Sequence, residues 1–168
     1  VNDVVLIGAG NVASNLGLAL VRQGISIVQV CNRTPEKGKK LAARLGAAFI
    51  EDIHAVVSTA DLYILAVSDA AIEILASELH LKNQLVVHTS GSLDIKILAK
   101  VSENIGVFYP LQTFSKSRRI NFRNIPVCLE ANSTKSEKQL GDLAAKLSGV
   151  VYFVNSDKRK ILHLSAVF

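Results

Sequence analysis

Val4-Val5-Leu6-Ile7-Gly8-Ala9-Gly10-Asn11-Val12-Ala13 is the stretch that decides the fold. A short apolar run ends in G-x-G-x-x-A and passes directly into a helical pattern. Gly8 allows a tight turn that a side chain would obstruct. Gly10 lets the backbone approach a pyrophosphate, and Ala13 is small enough for a helix to pack on the strand. The N–H groups of Asn11 and Val12 then face the phosphates. The glycine pattern alone is weak, and an ordinary glycine turn is its competing reading. A strand before it, a helix after it and a second strand over 25–31 make it a nucleotide-binding βαβ unit.

Outward from this unit, strand-like and helix-like segments alternate to the end of the chain. Strands are expected at about 3–8, 25–31, 47–50, 61–67, 84–89, 105–109, 127–131 and 150–154. Helices are expected over 11–23, from Pro35 to Gly46, around 52–58, from Ser68-Asp69 to Leu79, from a Ser92 cap to Val101, over 134–147 and from Asp157 onward. Thr34 caps and Pro35 opens the second of these. Thr134-Lys135-Ser136-Glu137 reads as a capping box. Residues 110–125 form a long loop with four basic residues, a length that is often functional. The alternation implies an α/β fold: a doubly wound, mostly parallel sheet of six to eight strands with helices on both faces. Its order is 3-2-1-4-5-6, with the last strands at the edge.

The 168 residues suit one domain with a real core. Their hydrophobic share is 49% and the mean hydropathy is +0.33, yet no apolar run approaches the ~20 residues of a membrane span. Cys31 and Cys128 are too few for a disulfide framework and read as buried thiols in a reducing, cytoplasmic setting. The charge of +5 alone allows nucleic acid, but nine aromatics without a basic-aromatic stripe argue against it. An anionic cofactor or small-molecule substrate accounts for the excess equally well. His and Cys show no metal-ligand spacing. The apolar helix at 161–168 carries no stop signal, so the expectation is that the natural protein continues.

In such a sheet a ligand lies across the C-terminal strand ends, near the switch point. An NAD site usually places Asp or Glu at the end of strand two, for the ribose 2′-hydroxyl. Here Asn32-Arg33-Thr34 stands instead. No carboxylate repels a 2′-phosphate, and Arg33 can pair with it, so NADP is expected over NAD. The other reading makes Thr34 a cap and Arg33 a solvated loop residue. Val67 ends strand four, and Ser68 and Asp69 follow it, where the middle of a dinucleotide passes, although helix capping also explains Ser68 and Asp69. After strand five, Ser90 and Gly91 are candidate pocket backbone. His88 is a candidate substrate-orienting or proton-transferring group, with a structural histidine as the alternative. After strand six, Gln112 and Thr113 offer neutral polar groups. Lys160 and His163, three apart on the last helix, are further candidate proton donors, with a solvated, charged helix start over Lys158–Lys160 as the other reading. His163 ranks above His88, because an exit helix can face the cleft.

Taken with the glycine motif and Asn32-Arg33-Thr34, three segments carry a resemblance: His88-Thr89-Ser90-Gly91-Ser92, Tyr109-Pro110-Leu111-Gln112-Thr113-Phe114 and Leu162-His163. Together they resemble a bacterial family of Rossmann-like oxidoreductases with a C-terminal helical domain. That family is similar to pyrroline-5-carboxylate reductases and to deazaflavin-dependent NADP reductases. The resemblance implies an NADP-binding domain over 1–155, with 156–168 starting the helix toward a second, helical domain absent from this chain. That domain would complete the substrate pocket and provide a homodimer contact.

Two functions follow as expectations. One is an NADP-dependent oxidoreductase passing hydride to or from a small carbonyl, imine or hydroxy acid. The alternative is a regulatory or sensing module that binds NADP without turnover.

Overall fold

The computed structural model describes residues 1–114 and 121–167. Lys116, Arg118 and Arg119, from the basic loop expected at 110–125, lie outside the described residues, as does Phe168.

Eight strands form one sheet in the order β3-β2-β1-β4-β5-β6-β7-β8. They are β1 (Asp3–Ile7), β2 (Ser26–Cys31), β3 (Ala48–Ile50), β4 (Leu62–Leu65), β5 (Leu85–His88), β6 (Asn104–Pro110), β7 (Val127–Ala131) and β8 (Val151–Phe153). The first six are parallel, β7 runs antiparallel to β6, and β8 is parallel to β7. The order reverses between β1 and β4, which sets the switch point beside the glycine turn.

Successive residues of a strand point to opposite faces. Val4 and Leu6 therefore join the apolar layer beneath α1 (Asn11–Arg22), α2 (Pro35–Leu45) and α4 (Thr134–Leu147). Val5 and Ile7 join the layer beneath α3 (Asp69–Glu78). With both faces covered, β1, β4 and β5 are buried at nearly every position, which is why they read as unbroken apolar runs. The final helix is α5 (Ser156–Val167).

Three local expectations are corrected. The helix around 52–58 is a single 3-10 turn, Ile53–Ala55, because the Asp52 carboxylate accepts the His54 N–H and closes a turn. The helix expected from a Ser92 cap to Val101 is a 3-10 turn, Ile95–Leu98, capped by Asp94. Ser90 Oγ accepts the N–H groups of Ser92 and Leu93, each at 3.0 Å, and commits that stretch to a turn. The cap of α4 is Ser133, one residue earlier than expected, and its hydroxyl accepts the Ser136 N–H at 3.2 Å. Thr34 occupies the N-cap of α2 but makes no side-chain capping bond. Gly46 ends α2 at φ 67°.

Candidate functional site

A cleft of about 1310 Å³ opens across the C-terminal ends of the parallel strands. Gly8, Gly10, Asn11, Val12, Asn32, Arg33, Thr34, Val67, Ser68, Ser90 and Gly91 all line it. The segments after β1, β2, β4 and β5 thus meet in one concavity, as the strand order requires.

The two glycines of the turn serve different ends. Gly8 has φ 117°, and a Cβ there would lie 2.3 Å from the Ala66 carbonyl oxygen. The turn is held to both neighbours, with Gly8 N donating to Cys31 O and Ala66 N to Ile7 O, each at 2.8 Å. A Cβ on Gly10 would meet nothing within 4 Å. The fold has no need of a glycine at 10; the space above it is cleft. Gly10 caps α1 without a side-chain bond, and the first turn holds no acidic residue. The leading N–H groups of that helix and its dipole therefore face the cleft uncompensated. This cradle fits the pyrophosphate of a dinucleotide. Asn11 Nδ2 donates to Phe114 O at 3.0 Å and ties the cradle to the chain leaving β6.

At one end, Asn32 Nδ2 donates to Thr34 O at 2.8 Å and shapes the loop in which Arg33 stands exposed. Arg33 is the one lysine or arginine among the described residues that line the cleft. Glu51, Asp52 and His54, beyond β3, complete this wall. They were not foreseen, since only the pairing of β3 beside β2 brings them there. Cys31 also lines it, and burial, followed by the nearby Asp52 carboxylate, pushes its thiol up to about 11, so it stays protonated at neutral pH.

Tyr109, Gln112, Thr113 and Phe114 also line the cleft, as do Gly91 and His163. Tyr109 Oη lies 2.8 Å from His163 Nδ1. Asp69, in the first turn of α3, lines the cleft and accepts from Ser92 Oγ.

The three candidate proton carriers separate. His163 is in the cleft, whereas Lys160 is half-buried outside its lining. Residues three apart are displaced by about 60° around a helix, enough to take Lys160 off the cleft side. The residue four earlier, Arg159, stays closer to the line of His163 and is fully buried. Its guanidinium pairs with Glu130 and with Leu93 O, and donates to Ser156 Oγ at 3.2 Å. The sequence presents Arg159 between Lys158 and Lys160, inside a run that reads as a solvated helix face. Its i, i+4 spacing to His163 was the available signal.

His88 is fully buried and does not line the cleft. Its Nδ1 accepts the Ser90 N–H at 3.1 Å, which puts the proton of the neutral ring on Nε2, and Nε2 has no partner among the described residues. Burial, and next the Arg159 charge, push its pKa down from 6.5 to about 4; the Asp94 backbone and the carboxylates of Asp69 and Asp94 act more weakly in the opposite direction. The folded state thus excludes a proton that the unfolded chain binds below pH 6.5. The resulting stability is fully present above pH 6.5 and fades as pH falls toward 4, by roughly 3 kcal/mol in total. Urea denaturation at several pH values should show that slope, and His88→Gln should flatten it. An equally steep profile in the variant would assign the slope to other groups.

Comparison with known proteins agrees with this geometry. A family described as NADP oxidoreductase, coenzyme F420-dependent, matches residues 3–91. The chain belongs to that family. A crystal structure of a candidate NADP oxidoreductase from Bacteroides fragilis superposes over 99% of this chain with TM-score 0.94 and 44% identity. This chain spans 66% of that one. A pyrroline-5-carboxylate reductase from Coxiella burnetii has the same fold, with TM-score 0.73 over 95% of this chain and 61% of its own, at 21% identity. An NADP(+) shikimate dehydrogenase from Methanothrix thermoacetophila is 44% identical over 68 residues, 39% of this chain and 25% of that enzyme. Among the described residues no helix is long and apolar enough to cross a membrane, and no cluster of His, Cys, Asp or Glu forms a metal site.

Proposed function

We propose that this chain is the NADP(H)-binding domain of a cytoplasmic oxidoreductase. Its reaction moves hydride between a nicotinamide and a small carbonyl, imine or hydroxy-acid substrate. The observation that carries the cofactor preference is Arg33, the lone lysine or arginine among the described cleft residues, at the end of β2 where an NAD site would hold a carboxylate. The Thr34 hydroxyl, not engaged in capping α2, is available to the same phosphate. The pyrophosphate lies on the Gly8–Val12 turn, and the dinucleotide continues past Val67 and Ser68 toward Ser90 and Gly91. His163 is the proton-bearing group nearest the substrate. The cofactor supplies the hydride chemistry; the protein orients it and places a donor beside it.

Arg33→Ala should weaken NADP(H) binding by about 10- to 100-fold, the loss of one charge-assisted contact of about 1.5–3 kcal/mol, and leave NAD(H) binding unchanged. Fluorescence titration with both reduced cofactors reads this. Equal NADPH affinity in the variant and the parent would sink the assignment of Arg33.

Residues 156–168 begin, in this proposal, the connection to a helical domain that closes the substrate pocket and pairs two copies. The larger size of the Bacteroides fragilis relative supports that arrangement. Residues 1–168 alone should therefore bind NADPH yet turn over slowly, whether oxidising NADPH with imine or ketone substrates or reducing NADP+ with hydroxy acids. Turnover by this piece equal to that of a chain carrying the further domain would refute the arrangement. NADPH binding with no turnover in either would favour the sensing module.

A further inference from the structure

The hydroxyl of Tyr109 and the Nδ1 of His163 share one hydrogen bond of 2.8 Å, with the rings edge-to-face at 5.7 Å between centroids and 75° between planes. Beneath them, a Cβ on Gly91 would lie 2.5 Å from His163 Nδ1, so the imidazole rests against bare backbone. One turn earlier on α5, Arg159 is locked into Glu130 and Leu93 O. The imidazole is thus held by three elements: β6, the loop after β5 and its own anchored helix.

The proton on this pair has a preferred place. A neutral imidazole carries one N–H, and a phenol carries one O–H. Burial pushes the Tyr109 pKa above 10, ahead of smaller effects from Cys128, which acts in the same direction, and Arg159, which opposes it, so the phenol keeps its proton at neutral pH. If Nδ1 carried the imidazole proton and donated it to Oη, the phenol hydrogen would have to turn to the cleft, because Tyr109 makes no other side-chain hydrogen bond among the described residues. With the phenol donating to Nδ1, the bond is satisfied and the imidazole proton moves to Nε2.

We propose that Tyr109 is a positioning residue, which holds His163 in the Nε2–H tautomer and so leaves that N–H for the cleft as a fixed hydrogen-bond donor. This rests on the oxidoreductase reading for its purpose. When hydride adds to the carbon of a C=O or C=N group, negative charge collects on the heteroatom, and a donor already aimed there stabilises it without reorganising. A neutral donor of this kind needs no charged histidine, and it suits imine and carbonyl substrates alike.

The experiment is nitrogen NMR of the histidine-labelled chain at about pH 8, above the ordinary histidine range. The His163 signal is assigned by its loss in His163→Gln. In the parent protein His163 should show the separated nitrogen shifts of a single Nε2–H tautomer. In Tyr109→Phe, which keeps the ring and removes only the hydroxyl, the two shifts should move toward each other as both tautomers become populated. An Nδ1–H tautomer in the parent would overturn the proposal, and this needs no variant. Unchanged shifts in Tyr109→Phe would overturn it as well. A parallel NADPH titration separates the two readings: absence of binding in both proteins would defeat the cofactor assignment, while the tautomer still decides the role of Tyr109.

Discussion

Gly8→Ala should lower the melting temperature by about 10 °C and abolish cofactor binding. The added methyl would sit 2.3 Å from the Ala66 carbonyl oxygen and 2.9 Å from Val67 Cγ1. The carbonyl is backbone, and its residue is bonded to β1 through Ala66 N to Ile7 O. Neither side can yield without opening the pairing of β1 with β4 at the switch point. The backbone at φ 117° adds strain that an L side chain rarely bears. Strain and overpacking each cost on the order of 1–3 kcal/mol, together roughly 4 kcal/mol, and a protein of this size loses about 2–4 °C per kcal/mol. Gly10→Ala is the control. Its methyl enters open cleft, so its thermal unfolding should match the parent while NADPH affinity falls at least about tenfold, the loss of roughly 1.4 kcal/mol. Calorimetry and fluorescence titration together test the pair. A Gly8→Ala protein melting within two degrees of the parent, or a Gly10→Ala protein binding NADPH normally, would contradict the division of labour between the two glycines.

Arg159→Met should be about as damaging to stability, by a different route. The substitution keeps much of the side-chain volume and removes the charge. Glu130, with only 16% of its side chain exposed, then holds an uncompensated carboxylate, and Leu93 O loses its donor. Breaking a buried pair from one side typically costs about 3–5 kcal/mol, whereas replacing both partners costs far less. The double variant Arg159→Met with Glu130→Met should therefore recover much of the loss. Urea denaturation at pH 7 measures all three proteins. A single variant that loses less than about 1 kcal/mol would mean that the pair does not hold α5 to the sheet. If the helix is released, His163 leaves the cleft, and its bond with Tyr109 is lost in the same variant.

The end of the cleft proposed for the cofactor was legible in the sequence, and the end proposed for the substrate only partly. Every residue chosen for the dinucleotide lines the cleft, because each lies at a strand end or in the turn just after it. A parallel sheet brings all those ends to one edge whatever the side chains do. The three proton candidates had no such rule behind them. His88 closes a buried strand and turns inward to accept from Ser90. Lys160 falls outside the cleft lining by its rotation about the helix axis, and His163 falls within it. The 3-10 turns at Ile53–Ala55 and Ile95–Leu98 replaced expected helices because Asp52, Ser90 and Asp94 spend their oxygens on nearby N–H groups. Apolar spacing does not register such bonds.

The amino-acid sequence by itself determined the strand order through β6, the glycine turn, the helix N-terminus aimed at the cleft and the lack of a carboxylate at Asn32-Arg33-Thr34. These are local or periodic properties, and local chemistry is written residue by residue. Only the tertiary structure decided that Glu51, Asp52 and His54 wall one end of the cleft, that Arg159 is buried against Glu130, and that Tyr109 meets His163. Each joins elements that are distant along the chain; Tyr109 and His163 are 54 residues apart. The charge of Arg159 and the polarity of Tyr109 are plain in the sequence. Whether such a group faces water or a partner depends on which element is packed opposite, and that is settled only when the sheet has closed.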